Sequence, residues 1–419
     1  MRIFNLRLTI IAAISLLFMT AKAQEDSIKH WGAEVEFLPG KAINMDEYQK
    51  KWMKGNNNYT FGIRVNYISH PCDSDDFAAD YDYPTISAGI RYSRNNNITM
   101  HRNADEAWPL IEPVDYDSRM GDIITFYGMF SRPFFRTKRW EADYSLAFGV
   151  GYSNEKYNTH NAIDNELIGS RWLIYFGAGL HATYRVAANW GLKAGLEFYH
   201  HSNGALNRPN KGANILAPSV ALCYYPYMES LTNSGEYRPS RFNKYWYCNF
   251  TLGIGGKTLL EDWQKTQFET APGEDGYRTD KFKFHAAYSM QIDVMCRYAR
   301  RWASGIGADI FYGTYSSYID DMDRQQGHTI SHSPWSVGIA AKHNVYYHNI
   351  SLAMSLGYYL YREMGQNASI NEKPYYERIG LHYTFPSLGG LTIGCNVKAH
   401  LTKADLTEFV ISYPIKFKK

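Results

Sequence analysis

The chain has 419 residues, a formal net charge of +3, 45% hydrophobic residues and five cysteines. So small a charge gives no basis for nucleic-acid binding, and five cysteines scattered singly (Cys72, Cys223, Cys248, Cys296, Cys395) argue against a disulfide framework. A mean hydropathy of −0.42 beside 16% aromatics and 35 tyrosines fits strands with one face in lipid and one in water.

The N-terminus has a basic start, Arg2 to Arg7, an apolar run from Leu8 to Thr20, and the small-x-small sequence Ala21-Lys22-Ala23. This predicts an exported chain cleaved before Gln24, with residues 1–23 a signal peptide outside the fold. The apolar run is too short and wrongly flanked to span a membrane as a helix.

From there on the chain alternates. Strands are predicted near 31–39, 59–69, 84–94, 121–131, 139–153, 171–185, 189–203, 213–226, 243–255, 282–297, 300–314, 334–347, 349–362, 374–385, 389–401 and 404–417. Residues 172–184 set Trp172, Ile174, Phe176, Ala178 and Leu180 on one face against Gly177, Gly179, His181 and Thr183 on the other. The last strand does the same with Phe409, Ile411, Tyr413 and Ile415, and Phe417 follows. Strands this long, with aromatics at the ends of the apolar face, belong to a membrane barrel rather than a sandwich.

The connections tend to alternate long (40–58, 95–120, 154–170, 256–281, 315–333, 363–373) and short (186–188, 298–299, 348, 386–390). Short periplasmic turns and long external loops give that pattern, with both termini in the periplasm. Segments 70–83 and 227–242 are long where they should be short, and 402–403 is short where it should be long. The segment 227–242, with Ser-Leu-Thr-Asn-Ser-Gly-Glu and Pro239, is the best linker. The fold class expected is all-β: a transmembrane antiparallel β-barrel of about 16 strands closed as one wide barrel, the alternative being an eight-stranded barrel plus a second β unit. The chain then divides into residues 1–23, residues 24–228 with the active site, and residues 229–419 as additional barrel strands.

The chemistry concentrates at the end of one strand. Trp190, Leu192, Ala194, Leu196 and Phe198 make an apolar face that ends in His200 and Ser202. A histidine two residues from a serine on one strand face is the minimum unit for an activated hydroxyl. Nine residues from Trp190 to Phe198 rise roughly 23 Å along the membrane normal, so the pair sits just beyond the apolar band. The loop that follows, 204–212, falls on the external side.

His200-His201-Ser202-Asn203 followed by Pro209-Asn210-Lys211-Gly212 resembles the PagL family of outer-membrane lipid A deacylases, also labelled acyloxyacyl hydrolase-like. The resemblance is strongest over 170–228 and extends over 24–228; residues 240–419 are additional to the family's usual eight-stranded barrel. It implies a serine esterase that removes an ester-linked acyl chain, the 3-O chain, from lipid A of lipopolysaccharide, among outer-membrane lipids and without a cofactor. It places the general base on His200, the nucleophile on Ser202 and the oxyanion-stabilising amide on Asn210, with Asn203 beside it. The third triad member falls on Asn214, where the family has Glu. An asparagine can hold a histidine tautomer but supplies no charge to the imidazolium, so Glu166 or Asp164 in the preceding loop are further acids to consider, and Glu197, on the lumenal face, a poor one. Arg208 and Lys211 are available to pair with lipid A phosphates or to be solvated.

Beside this reading stand blander ones. His201 faces the lumen and is structural. Asp320, Asp321 and Asp323 resemble a piece of a calcium loop without its glycine or closing glutamate. No phosphate loop, zinc constellation or haem motif is present. A wide barrel with a polar inner face would also serve as a passive pore, or as a surface barrel with a relic site.

Overall fold

The computed structural model describes residues 29–228, 231, 237–401 and 403–417. The predicted signal peptide, residues 1–23, lies outside them, as does part of segment 227–242. Every predicted strand is present. The first half of the chain supplies β1 (Trp31–Ala42), β2 (Asn57–Ile68), β3 (Thr85–Asn97), the short loop pair β4 (Thr99–Met100) and β5 (Ser118–Arg119), β6 (Ile123–Arg136), β7 (Trp140–Ser153), β8 (Trp172–Ala187), β9 (Trp190–Ser202) and β10 (Ala213–Tyr224). The second half supplies β11 (Tyr245–Thr258), β12 (Phe284–Arg297), β13 (Trp302–Gly313), β14 (His332–Tyr347), β15 (Ile350–Met364), β16 (Tyr375–Phe385), β17 (Leu391–His400) and β18 (Lys403–Lys416).

Closure departs from the first expectation. There is no single wide barrel: the strands form two closed antiparallel barrels, β1-β10-β9-β8-β7-β6-β3-β2 and β11 through β18 in order. The seam of the first sets Val35 opposite Leu222 and Phe37 opposite Val220. The seam of the second sets Leu252 opposite Ile411 and Ile254 opposite Phe409. At both seams the paired residues are apolar and outward, so a one-residue slip would turn each apolar row into the lumen. With eight strands each, the barrels lack the wide bore that a passive pore presupposed.

The outward rows stay exposed, among them Phe61, Ile63 and Val65 on β2 and Leu356, Tyr358 and Leu360 on β15. Trp31, Trp140, Trp172, Trp246, Trp302 and Trp335 stand exposed near the strand ends, as lipid-interface anchors do. Among the described residues no helix is long and apolar enough to cross a membrane.

The lumen of the first barrel is filled by a buried ionic network. Glu36 accepts from Arg64 Nη1 (2.5 Å), Arg91 Nε (2.6 Å) and Tyr127 Oη (2.9 Å). Arg91 also pairs with Glu197 at 2.8 Å, and Lys193 with Glu34 at 3.0 Å.

The two barrels touch through their end loops. At one end, loop 203–212 meets β11 and β18. At the opposite end, the unexpectedly long segment 70–83 folds into a helix, Asp76–Asp80, whose Asp76 and Asp80 pair with Arg300 at 2.8 and 2.9 Å. That segment is long because it docks the second barrel.

Candidate active site

β9 lies between β8 and β10. Its outward residues Leu192 and Leu196 are about half exposed (54% and 51%), while inward Lys193 and Glu197 are buried. His200 and Ser202 continue the outward row, with Cα atoms roughly 7 Å apart along the strand. Register puts Phe176 on one side of His200 and Asn214 on the other, and Ile174 beside Ser202. Asn214 reaches across: its Oδ1 lies 2.8 Å from His200 Nδ1. An acceptor at Nδ1 fixes the proton there and leaves Nε2 free to take one.

Glycine is needed at 212. Its φ is +75°, and a Cβ would sit 2.4 Å from His200 Cε1. The loop between the strands is cross-linked by its own asparagines. The Asn203 backbone N–H donates to Asn210 Oδ1 (2.9 Å), Asn203 Nδ2 donates to the Asn207 carbonyl (3.0 Å), and Asn207 Nδ2 donates to the Gly169 carbonyl (2.7 Å). Asn203 thus cross-links the loop through its backbone N–H and one of the two Nδ2 hydrogens; the second Nδ2 hydrogen and the amide nitrogen of Asn210 remain the expected oxyanion donors.

The other acids are committed elsewhere. Glu166 pairs with Arg102 and accepts from Tyr48 Oη at 2.9 Å. Asp164 pairs with Arg278, in the loop between β11 and β12 of the second barrel, and accepts from the Arg102 backbone at 2.9 Å. Glu197 faces the lumen between Arg91 and His181. His201 also faces inward, 2.9 Å from Thr125 Oγ1 and 5.0 Å from the Tyr175 ring centre, a structural position.

Arg208 and Lys211 do not stand free for phosphates. Arg208 is buried and its Nε donates to the Thr258 carbonyl at 3.1 Å. Lys211 lies 4.4 Å from the Tyr48 ring centre and 3.9 Å from Asp46 Oδ2; burial holds its ammonium below the usual lysine range.

The second barrel grips the loop that follows Ser202. Thr407 Oγ1 donates to the Gly204 carbonyl at 2.6 Å, and the Thr258 backbone N–H donates to the Ala205 carbonyl at 2.9 Å. A threonine on an inward or outward row carries no mark that its partner lies 203 residues away.

Residues 81–222, which hold His200, Ser202, Asn203, Asn210 and Asn214, match the family described as lipid A 3-O-deacylase (PagL). Residues 246–419, the whole second barrel, match the family described as acyloxyacyl hydrolase, C-terminal domain. Each half of the chain matches a model of PagL-type hydrolases. A PagL-like chain of this kind thus carries its second barrel as a family domain of its own, not as extra strands of the first. A crystal structure of the outer membrane enzyme PagL aligns at 13% identity over 46% of this chain and 98% of that chain, with a TM-score of 0.26. One of the P. putida toluene transporter TodX aligns at 9% identity over 93% of this chain and 90% of that chain, with a TM-score of 0.18. No curated protein matches the PagL-like chain.

Among the described residues, one group has metal-ligand spacing: Glu372, His400 and Asp405 in the second barrel. Cations already occupy it. Lys257 and Lys398 both lie 2.5 Å from Asp405, and Arg362 pairs with Glu372. The suspected calcium fragment is a helix, Ser316–Gln325, whose Asp320 and Asp323 bind His332 at 3.0 and 2.9 Å.

Proposed function

We propose that this chain is an outer-membrane serine esterase that removes an ester-linked acyl chain, the 3-O chain, from lipid A, with its site in the first barrel (within 24–228). The observation that carries the reading is the His200–Asn214 hydrogen bond of 2.8 Å on the lipid-facing side of β9, two residues from Ser202. Ser202 Oγ attacks the ester carbonyl as His200 Nε2 takes its proton. Asn210 donates to the oxyanion. The tetrahedral species collapses, and His200 returns the proton to the leaving sugar hydroxyl. Water, deprotonated by the same nitrogen, then releases the fatty acid from Ser202. Apolar Phe176, Phe198 and Leu216 lie on the membrane side of the pair, where the acyl chain rests, and the sugar headgroup sits toward loop 203–212.

The test is mass spectrometry of lipid A after incubation with the purified protein beside Ser202→Ala and His200→Ala. Loss of one hydroxyacyl mass with the wild type alone supports the reading. An unchanged lipid A with a folded, heat-modifiable wild-type protein overturns it.

A further inference from the structure

Two barrels with the same number of strands have different interiors. Large inward side chains (Arg64, Arg91, Tyr127, Tyr175, Tyr225) interlock through the first. Over the periplasmic half of the second, small residues, Thr251, Ser351, Ser355, Thr384, Thr392 and Ser412, are interspersed with the larger inward side chains. They leave a cavity of about 620 Å³. An eight-stranded barrel has a bore that side chains just fill or that holds one small ligand. This cavity has the size of a small-molecule site. It opens beside Tyr245 and Lys416, where β11 begins and β18 ends, at the end opposite the catalytic loop and hence toward the periplasm.

Its lining is electropositive. Arg297 and Lys416 flank β11 in register, opposite Tyr245 and Tyr247. Neither has a carboxylate partner among the described residues. The Arg297 guanidinium stands 3.9 Å from the Tyr346 ring centre, and Lys416 Nζ stands 4.8 Å from that of Tyr245. Deeper in, Arg378 is 5% exposed; its Nη1 lies 3.2 Å from Asp309 and its Nε 2.9 Å from Glu408, while Nη2 has no hydrogen-bond partner among the described residues. Ser355 Oγ is likewise unmatched. The one acid in the lining, Asp293, is met by Lys342 at 3.3 Å. Buried donors without acceptors are costly unless something accepts from them. The groups left over are donors and cations beside aromatic rings, which match an anion attached to a ring that can stack.

We propose that the lumen of the second barrel is a binding site for a small phosphorylated sugar taken from the periplasmic side. The phosphate is held by Arg297 and Lys416 at the mouth, and the ring lies against Tyr245, Tyr247 and Tyr346 with its hydroxyls toward Ser355 and Arg378. The site is separate from the serine site and does not depend on its activity.

Calorimetric titration of the full chain in detergent with glucose 1-phosphate tests this, with unphosphorylated glucose as the comparison. The expected result is saturable binding of about one molecule per chain, none for glucose, and at least tenfold weaker binding to Arg297→Gln/Lys416→Gln. Both substitutions lie at the rim, so the barrel keeps its fold, which heat-modifiable gel migration verifies. No saturable binding up to about 10 mM, equal binding of glucose, or undiminished binding to the folded double variant each overturns the proposal.

Discussion

Asn214 limits how well the histidine can carry a positive charge. The amide oxygen fixes the proton on Nδ1, so the tautomer suits the proposed mechanism, but in that mechanism no carboxylate would steady the imidazolium formed as Ser202 gives up its proton. Asn214→Asp should therefore raise kcat for lipid A deacylation by about tenfold or more, and Asn214→Leu should lower it by roughly a hundredfold, both with KM little changed. A fall in kcat for the aspartate variant would remove Asn214 from the catalytic group. Gly212 makes a second prediction. A methyl group there meets the imidazole at 2.4 Å on a backbone of positive φ, so Gly212→Ala should cut kcat severely while destabilising the barrel by only ~1 kcal/mol. Circular dichroism melts beside activity would separate the two effects. At this scale the sequence shows His200 and Ser202 because two residues on a strand share a face. It does not show that Glu166 and Asp164 are spent on Arg102 and Arg278, because those arginines come from distant loops.

The strands are legible to within about two residues at most ends, with β1, β3, β6 and β11 running three to five residues further, since a period of two is a local property of every strand. Prediction of 389–401 meets Leu391–His400, and 139–153 meets Trp140–Ser153. The short helices in the loops were passed over. One of them, Glu47–Trp52, follows a readable capping signal, with Asp46 accepting from the Gln49 backbone at 2.8 Å. The catalytic loop is shaped by its own asparagines and by two threonines of the other barrel. Thr407→Val removes the hydroxyl that donates to the Gly204 carbonyl and should lower kcat about tenfold with the fold intact. Thr407→Ser restores the donor and should rescue the rate. If the serine variant is no better than valine, Thr407 acts through packing rather than through this hydrogen bond.

At the scale of the molecule, the first barrel is held by its filled lumen and the pair is held by its ends. Glu36→Gln leaves Arg64 and Arg91 buried with less than their balancing charge and should cost about 3–5 kcal/mol, seen as an earlier urea midpoint at unchanged slope. The junction of segment 70–83 with the second barrel should be pH-sensitive. Hydrogen bonds from Ser240 and Tyr237, with Arg300 nearby, hold the Asp76 carboxyl down at about 2, against 3.8 for an unperturbed aspartate. A depressed folded pKa means the stabilisation is complete above pH 3.8 and is lost as pH falls toward 2. Limited proteolysis of the linker should therefore speed up between pH 4 and 2 in the wild type, and Asp76→Asn should show the fast rate already at neutral pH.

What the sequence determined by itself is what short range controls: sixteen alternating strands, their lipid and lumen faces, the lengths of their connections, and a histidine and a serine side by side at the edge of the apolar band. Only the tertiary structure decided which strands close on which. The seams join β1 to β10 and β11 to β18, contacts between residues more than a hundred positions apart that no local pattern encodes. For the same reason it alone decided that Asn214, rather than a loop carboxylate, meets His200, that the second barrel grips the loop beyond Ser202, and that one lumen is full and the other hollow. Strand alternation says which side chains point inward, but whether they fill the space depends on all eight strands at once.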